Sequence, residues 1–473
     1  MRIDRFYFLV FITFLFAVLI NFPFSKIPPG SDMISHIGAI NNILWGNKEL
    51  SFYSYPLLMH FIMAAFVHFA KIQVYTTLKA FHVIIILVTI VGFYKLGKET
   101  LSKTSGVILA FLMALYPSQE FWLGLVYMAP STIALAIFPY FVLGLYKESK
   151  IYLITSLLLS LLFYWFFFFP LFFLGYLYKM WLKKRYIFVF TPLLMLLLIL
   201  TFFKDYTLSF FGIPLYSQLS ENFYVYIIEL FKSFFFAFFG ITLFFFKKVK
   251  HVKIGIIALF SGVIWAILFF PVPLLGKRLA IFLILGLAIF SIIFLEYLTE
   301  KLRGPYPFVI TVLFFVLITS MVVPVNNYLL SQSNVDENEL EGLNWLHNYD
   351  PTPEYILSDP YTMNLAINFV ANKENYEGET LYSIYNTNST FQMQLMGFLK
   401  QGEYSNILEE YSIGYVIISS RTRDWTQKNL YKPSYFPPKL KNTSPLLIEK
   451  GVLLSNNFSL IYSKNELDIY GKT

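Results

Sequence analysis

The chain has 473 residues, of which 57% are hydrophobic, 20% are aromatic and only 14% are charged. Its formal net charge is +8 and its mean hydropathy is +0.62. A soluble domain does not hide that much apolar surface, so the composition predicts a multi-span membrane protein. Cysteine is absent, which excludes disulfides, thiolate catalysis and cysteine metal sites.

Charge is divided unevenly along the chain. Positions 333–473 carry 17 acidic and 11 basic residues, a net charge of −6, which leaves 25 basic and 11 acidic residues, net +14, for positions 1–332. An excess of basic residues is typical of the cytoplasmic loops of a membrane protein. No dense basic stripe with interleaved readout residues is present, so nucleic acid is not an expected partner. We therefore predict a membrane domain, residues 1–330, and a separate domain, residues 331–473.

The first apolar run, Phe6–Phe24, follows a short basic start and lacks a small-residue cleavage pattern after it. It is interpreted as a retained first span with a cytoplasmic N-terminus. A polar interruption follows, and residues 25–56 are predicted to form the first external loop. Ser31 or Asp32 can cap a helix over Met33–Trp45, which is expected to lie along the membrane surface.

Two apolar segments, Pro56–Ala70 and Leu78–Tyr94, come next. The first is short for a crossing, which needs about 20 residues. The basic loop Lys95–Lys103 is expected inside, so the pair is predicted to make one net crossing. Further apolar runs alternate with short loops whose basic clusters mostly fall on one side. The pattern predicts roughly 11 to 13 membrane segments, a cytoplasmic N-terminus and an extracytoplasmic C-terminal domain.

Beyond Ser331 the sequence becomes richer in acids, Asn and Ser, and predicts a small α/β domain of ~140 residues. The predicted helices are Glu337–Asn348, Tyr361–Asn372 and Phe391–Lys400, and the predicted strands are Tyr355–Ser358, Tyr415–Ser419, Phe458–Tyr462 and Glu466–Tyr470, the last two as a hairpin. Three Asn-x-Ser/Thr triplets begin at Asn388, Asn442 and Asn457. They fit an external domain, but a segment rich in Asn and Ser also produces them by chance.

Few carboxylates of the membrane part lie near its predicted outer face. A general base needs a carboxylate poised near the operating pH, and partial burial at a membrane boundary raises the pKa of an acid. Asp32, just past the first span, is the best candidate, and its alternative role is to cap the surface helix. Glu120 ends an apolar segment, where an ordinary solvated carboxylate is the competing interpretation. Glu229 lies within an apparent span, where an internal ion pair with Lys232 also explains it.

Two further groups of residues are candidates for binding. Arg278 follows Lys277 at a predicted outer helix start, where a guanidinium and a helix N-terminus together favour phosphate; a snorkelling interfacial arginine is the alternative. His36 lies four residues after Asp32 and shares its helix face. With His60 it can form a metal site, although loop histidines satisfied by water are commoner, so no metal ligand is assigned.

Three parts of the chain carry a family resemblance, and their residues are Gly30–His36 with Tyr55–His60, Lys277–Leu283, and the tail stretches Glu341–Leu346, Leu357–Pro360, Tyr411–Ser419 and Phe458–Tyr470. They resemble the GT-C superfamily of integral-membrane glycosyltransferases, which includes oligosaccharyltransferase catalytic subunits and protein mannosyltransferases. The W-W-D-Y-G signature of oligosaccharyltransferases is missing, and the first loop has one acid near the span instead of an acidic pair. Both departures favour transfer of a single sugar over transfer of a whole oligosaccharide.

The resemblance implies an enzyme that moves a sugar from a polyprenyl- or dolichyl-phosphate donor to a lipid-linked or protein glycan acceptor, outside the membrane, by an inverting single displacement. Asp32 would deprotonate the acceptor and Glu120 would orient the acceptor or a metal. Arg278, with Lys277, would stabilise the departing lipid phosphate. The candidate site-lining residues are His36, Tyr55, His60, Glu221 and Glu229. A divalent cation, Mg²⁺ or Mn²⁺, is compatible with this mechanism but not required.

Two functions of other classes compete with this prediction. A transporter or flippase of lipid-linked glycans would need polar groups at the bilayer midplane and often has an internal repeat. A non-catalytic membrane scaffold would use the outer domain to bind a partner and would not depend on Asp32.

Overall fold

A computed structural model of the chain describes nineteen segments with gaps between them. They are residues 5–21, 31–44, 58–115, 130–202, 235–246, 251–269, 279–302, 306, 309–313, 315–316, 319–320, 337–350, 355–359, 362–363, 389–401, 403–419, 422, 450–464 and 467–473. The described helices up to residue 302 are α1 (Arg5–Asn21), α2 (Ser31–Leu44), α3 (Leu58–Ala70), α4 (Val74–Thr100), α5 (Lys103–Ala114), α6 (Pro130–Lys147), α7 (Lys150–Phe163), α8 (Trp165–Leu182), α9 (Ile187–Phe202), α10 (Phe235–Phe246), α11 (Val252–Phe269) and α12 (Ala280–Lys301). The described elements of the tail are α13 (Glu337–Tyr349), β1 (Tyr355–Leu357), α14 (Ser389–Gln401), α15 (Ile407–Glu410), β2 (Ile413–Ile418), α16 (Lys450–Ser455), β3 (Phe458–Lys464) and β4 (Leu467–Lys472).

The chain divides into two compact units. The bundle unit comprises Met1–Phe22, Phe52–Met59 and Lys79–Leu329, and the loop–tail unit comprises Pro23–Ser51, His60–Leu78 and Leu330–Thr473. The first-loop helix α2 therefore belongs to the same unit as the tail. The predicted membrane domain, residues 1–330, includes the first loop, whereas this division groups the loop with the tail. The domain boundary at residue 330 remains a prediction.

Two of the described helices, α4 and α12, are long and apolar enough to cross a membrane, and several shorter apolar helices accompany them. They differ in their surroundings. The apolar side chains of Ile84, Leu87 and Val91 on α4 are exposed, whereas α12 is mostly buried among other helices. Exposed apolar side chains along a long helix suit contact with lipid. These features are those of a membrane protein, and the expected 11 to 13 segments remain a prediction.

Helix α4 is longer than the sequence indicates. The charged residues from Lys95 onward were expected to form a loop, but α4 continues to Thr100, so that expectation is wrong. The Lys95 ammonium donates to the Tyr152 hydroxyl at 2.8 Å, and Glu99 forms an ion pair with Lys147 at 2.9 Å. Because neighbouring helices supply these partners, the charges can lie on the last turns of the helix without ending it.

Helix α12 is the centre of the bundle unit, where it packs against α5, α10 and α11. Two glycines permit its close approach to its neighbours. A Cβ at Gly240 on α10 would overlap the carbonyl oxygen of Phe290, and a Cβ at Gly286 on α12 would lie 2.9 Å from the carbonyl oxygen of Ala258. Small residues at such crossings bring helix backbones together, and van der Waals packing is a main source of helix association in membranes.

The bundle unit contains a polar cluster around Glu296. Its carboxylate lies 3.2 Å from His251 Nε2 and accepts hydrogen bonds from the hydroxyls of Ser102 and Ser105. His251 Nδ1 lies 3.1 Å from the carbonyl oxygen of Thr100, which only accepts. The Nδ1 atom must therefore carry a proton, and the Nε2 atom pairs with an acid. The cluster joins the ends of α4, α5, α11 and α12.

The tail contains a four-stranded sheet of order β1-β2-β4-β3. Strands β1 and β2 are parallel, and β2–β4 and β4–β3 are antiparallel. The predicted terminal hairpin is confirmed as β3 and β4, and two predicted helices are confirmed as α13 and α14. Only Thr362 and Met363 of the predicted helix Tyr361–Asn372 are described, and both are helical. The core residues between the sheet and α14 include Leu357, Phe391, Leu395, Phe398, Val416 and Phe458.

Substitution Gly240→Ala is expected to lower the stability of the bundle unit by about 1–3 kcal/mol, because the new methyl meets the α12 backbone, which cannot move independently of its helix. Thermal unfolding of the protein in detergent measures the change. The matched control is Gly262→Ala, since a Cβ there meets nothing within 4 Å. It should be neutral or stabilising because Gly is a poor helix former. Equal losses in both variants would contradict the close α10–α12 contact.

Candidate functional site

The first-loop helix α2 carries the predicted base. Helix α2 begins at Ser31, so Asp32 is its second residue, and its capping role remains a prediction. The backbone places Asp32 one turn before His36 on the same helix face. His36, Ile37 and Ile40 of this helix are buried. These buried side chains hold α2 in place from one turn after Asp32, the predicted base. The side chain of Asp32 itself lies outside the described atoms.

The histidine pair predicted from the sequence does come together. His36 Nδ1 lies 2.9 Å from His60 Nε2, and both side chains are almost wholly buried. His60 is on the first turn of α3, 24 residues further along the chain. The two rings lie at an angle of 38° with centroids 5.1 Å apart, which excludes flat stacking. The contact is a hydrogen bond between two imidazoles, in which one nitrogen donates and the other accepts.

Burial keeps this pair neutral. It lowers the pKa of His36 to about 4. Burial, together with the neighbouring His36, lowers the pKa of His60 to about 3. Helices α2 and α3, with 14 and 13 residues, are each shorter than the roughly 20 residues that a crossing needs. The neutral pair therefore joins two short helices at physiological pH.

The chemistry of the His36–His60 pair determines which metal ions suit this position. Two imidazole nitrogens suit Zn²⁺, whereas Mg²⁺ and Mn²⁺ prefer oxygen ligands. The buried His60 Nδ1 has no hydrogen-bond partner among the described residues, so a nitrogen is present that a ligand can use. Among those same residues no group of three His, Cys, Asp or Glu side chains gathers. While the hydrogen bond between the rings is kept, the pair offers a metal the single nitrogen His60 Nδ1.

The other predicted site residues lie outside the described residues. Tyr55, Glu120, Glu221, Glu229 and the Lys277–Arg278 pair belong to this group. Their neighbours along the chain are described. Glu120 lies between the end of α5 and the start of α6, and Arg278 directly precedes Leu279, the N-cap residue of α12. The roles of these residues remain predictions.

A second cluster of polar residues lies at the ends of the parallel strands β1 and β2, where α/β sheets often bind ligands. Asp359 accepts hydrogen bonds from the hydroxyls of Thr362 and Thr422, at 2.7 and 2.8 Å, and from the Thr362 amide at 3.1 Å. Ser419 and Thr422 exchange side chain–backbone bonds of 3.0 and 3.2 Å, as in a capping box. All four residues are buried, so the cluster joins the strand ends and its carboxylate is occupied by the protein itself.

Sequence reasoning missed this cluster and the one around Glu296. Asp-Pro at positions 359–360 is a helix-start signal, with Asp at the N-cap and Pro in the first turn, and it could have predicted the role of Asp359. Nothing in the local sequence links Glu296 to His251, because Glu296 lies on α12 and His251 directly precedes α11.

Comparison with known proteins gives solved structures of similar fold. The oligosaccharyltransferase of Archaeoglobus fulgidus in its apo form matches 89% of this chain over 70% of its own length, with a TM-score of 0.57 and 13% identity. The same enzyme in complex with Zn and sulfate matches 90% of this chain over 70% of its own length, with a TM-score of 0.55 and 15% identity. The arabinofuranosyltransferase AftD from Mycobacteria matches the whole chain at a TM-score of 0.55 and 12% identity, and the chain spans 40% of it.

These neighbours are GT-C glycosyltransferases, so the resemblance noted in the sequence is confirmed at the level of the fold. No protein-family model matches the sequence, and no curated protein matches it. At 12–15% identity the likeness concerns the fold alone.

The contact between α2 and α3 should weaken as the pH falls. Both folded-state pKa values lie below the unfolded value of about 6.5, so the unfolded segment binds more protons between them. The stabilisation is complete above pH 6.5 and is lost as the pH falls through about 4 for His36 and about 3 for His60, at up to about 1.4 kcal/mol per pH unit for each imidazole. Hydrogen exchange of residues 31–70 in the detergent-solubilised protein measures this loss.

Substitution His36→Leu should flatten this pH dependence, because it removes one titrating group and the charge repulsion between the two rings. The control is His68→Asn, at an exposed position of α3, the helix that carries His60, and it should preserve the pH dependence. Opening that is independent of pH in the unaltered protein would contradict the buried neutral pair.

Substitution Asp359→Ala should destabilise the tail by about 3 kcal/mol, since it removes a helix cap and leaves the buried hydroxyls of Thr362 and Thr422 without their acceptor. Protease resistance of the tail across a urea series measures the loss. The control is Asp468→Ala, which removes a more exposed carboxylate that accepts from Ser463 at 2.6 Å and should cost less than about 1 kcal/mol. Similar losses in the two variants would contradict the structural role of Asp359.

Proposed function

We propose that this protein is a membrane glycosyltransferase that transfers a single sugar from a polyprenyl-phosphate-linked donor to a glycan acceptor on the outer face of the membrane. The observation that carries the proposal is the fold shared with two glycosyltransferases, one over 89% of the chain and the other over its whole length. The missing W-W-D-Y-G signature favours a single-sugar donor over a whole oligosaccharide. The acceptor is a lipid-linked or protein glycan.

Asp32 is proposed as the general base. It would take the proton of the acceptor hydroxyl as the oxygen attacks the anomeric carbon of the donor. The bond between that carbon and the phosphate oxygen breaks at the same time, and the lipid phosphate leaves with the electron pair. A single displacement of this kind inverts the anomeric configuration. Support for the assignment comes from the backbone, because the His36–His60 contact fixes α2 one turn after Asp32.

Arg278 and Lys277 are proposed to bind the donor phosphate. They directly precede the N-terminal end of α12, whose first turn contains no acidic residue to neutralise the helix dipole. Positive side chains beside a helix N-terminus favour phosphate, and charge stabilisation of a leaving group is often a dominant catalytic contribution. Glu120, in the connection between α5 and α6, is proposed to orient the acceptor.

His36 and His60 are proposed as positioning residues of this site, with Tyr55, Glu221 and Glu229 as further lining residues. A divalent cation bound beside Asp32 would supply positive charge for the donor phosphate. The Archaeoglobus neighbour has been solved with Zn and sulfate. Imidazole nitrogen suits Zn²⁺ better than Mg²⁺ or Mn²⁺, which the sequence-based mechanism allows but does not require.

Substitution Asp32→Asn should lower sugar transfer by about 10²–10⁴-fold, because the amide cannot take the acceptor proton. Arg278→Ala should lower it by about 10²-fold or more by removing charge from the leaving phosphate. Both variants are introduced into the native host, and surface glycans and accumulated lipid-linked sugar are measured at matched protein levels. Lipid-linked sugar should accumulate as the glycans are lost.

The control is Glu49→Gln, which removes another acid of the first loop and should leave the glycans unchanged. Normal glycans in both the Asp32 and Arg278 variants would reject the glycosyltransferase and favour the scaffold. If lipid-linked sugar accumulates only on the inner face, the protein is instead a flippase.

A further inference from the structure

Three aromatic rings of the loop–tail unit form a continuous row. Trp345 and Tyr349 lie one turn apart on α13 and stack with their centroids 4.9 Å apart at 14°. Trp345 also contacts Tyr462 of strand β3, with centroids 4.8 Å apart at 34°. Tyr349 is 59% exposed, and the other two rings are half-buried. We call Tyr349, Trp345 and Tyr462 the aromatic row.

The row is held rigidly but is not part of the core. The buried cluster between the sheet and α14 contains none of its rings. Helix α13 attaches to the unit through other side chains, since Leu343 and Leu346 are buried. Gly342 lies so close to the hairpin that a Cβ there would overlap Leu467 and lie 3.4 Å from the Tyr462 ring. The aromatic faces are therefore fixed beside a tightly packed helix–hairpin contact.

The elements that carry the row also carry polar groups. Lys464 and Glu341 form an ion pair of 2.6 Å whose side chains are about half exposed, on the same strand and helix as Tyr462 and Trp345. Next to Tyr349 in the chain, Asp350 accepts a hydrogen bond of 2.8 Å from the Tyr415 hydroxyl. The row thus combines flat apolar faces with hydrogen-bonding groups at fixed positions.

We propose that the aromatic row binds a neutral oligosaccharide, the glycan part of the acceptor. One face of a sugar ring carries C–H groups that pack on an aromatic ring, and its rim carries hydroxyls that bind carboxylates and ammonium groups. Rigid Trp and Tyr side chains provide such contact area at a low cost in conformational entropy. That the ligand is the acceptor rests on the proposed function; that the row binds sugar does not.

The surroundings favour this ligand over other classes. A lipid chain would bring apolar groups against the exposed Glu341–Lys464 ion pair, and burying those charges is costly. An anionic glycan would be repelled by a tail that carries 17 acidic against 11 basic residues. A peptide added to the edge strand β3 would use its backbone and would not require the exposed ring of Tyr349.

The test measures binding of maltopentaose, mannopentaose and cellopentaose to the full chain in detergent, by saturation-transfer NMR and calorimetry. At least one of these neutral sugars should bind. Tyr349→Ala, at the exposed end of the row, should weaken binding about threefold to tenfold. Trp345→Phe should weaken it while keeping the helix–hairpin packing. Tyr404→Ala, which removes an exposed ring of the same unit outside the row, should not change it.

Absence of binding by all three sugars, or equal binding by the protein and its Tyr349→Ala variant, would overturn the proposal. A peptide or a lipid that binds at the row in place of sugar would overturn it as well. Binding is also measured in the Asp32→Asn variant, which should bind sugar normally without transferring it. Sugar binding with normal transfer in that variant would reject the catalytic assignment and leave the binding site standing.

Discussion

Close packing around α12 is the constraint on which the bundle unit depends. Its side chains are buried almost throughout. At Gly240 and Gly286 the backbones of adjacent helices contact each other directly, because glycine has no side chain to separate them. At one end the Glu296 cluster joins this helix to three others through hydrogen bonds. The opposite end, directly after Arg278, is where the donor phosphate is proposed to bind. A fixed central helix would hold that end in place without any loop having to do so.

The candidate site depends on a smaller contact in the other unit. The first loop is a polar interruption, and α2 is anchored by the buried side chains of His36, Ile37 and Ile40 and by the hydrogen bond to His60. The bond requires that one ring keeps an unprotonated nitrogen as acceptor, and burial lowers the pKa of both rings and keeps them neutral. In the tail, by contrast, Asp359 is a buried acid, and the hydroxyls of Thr362 and Thr422 donate hydrogen bonds to it. The histidine pair and Asp359 are thus each matched to a partner that stabilises the form they have at physiological pH.

Much of the fold could be predicted because its signals are local. Apolar runs of helical length gave most of the helices, and alternation with turn residues gave the β3–β4 hairpin. The errors occur where a distant partner changes the local preference. Helix α4 continues past Lys95 because Tyr152 lies beside it, and no pattern within the segment indicates this. For the site, the sequence singled out both histidines, but only the folded chain puts their nitrogens 2.9 Å apart.

The sequence by itself determined that this is a membrane protein with an acidic α/β tail, because hydropathy, charge asymmetry and periodicity are sums over neighbouring residues. It also singled out the first loop, since a polar interruption stands out in an apolar chain. The tertiary structure alone decided which side chains meet. The His36–His60 pair, the Glu296 cluster and the aromatic row each join residues from different elements, and such contacts follow from how those elements pack, which no spacing along the chain encodes.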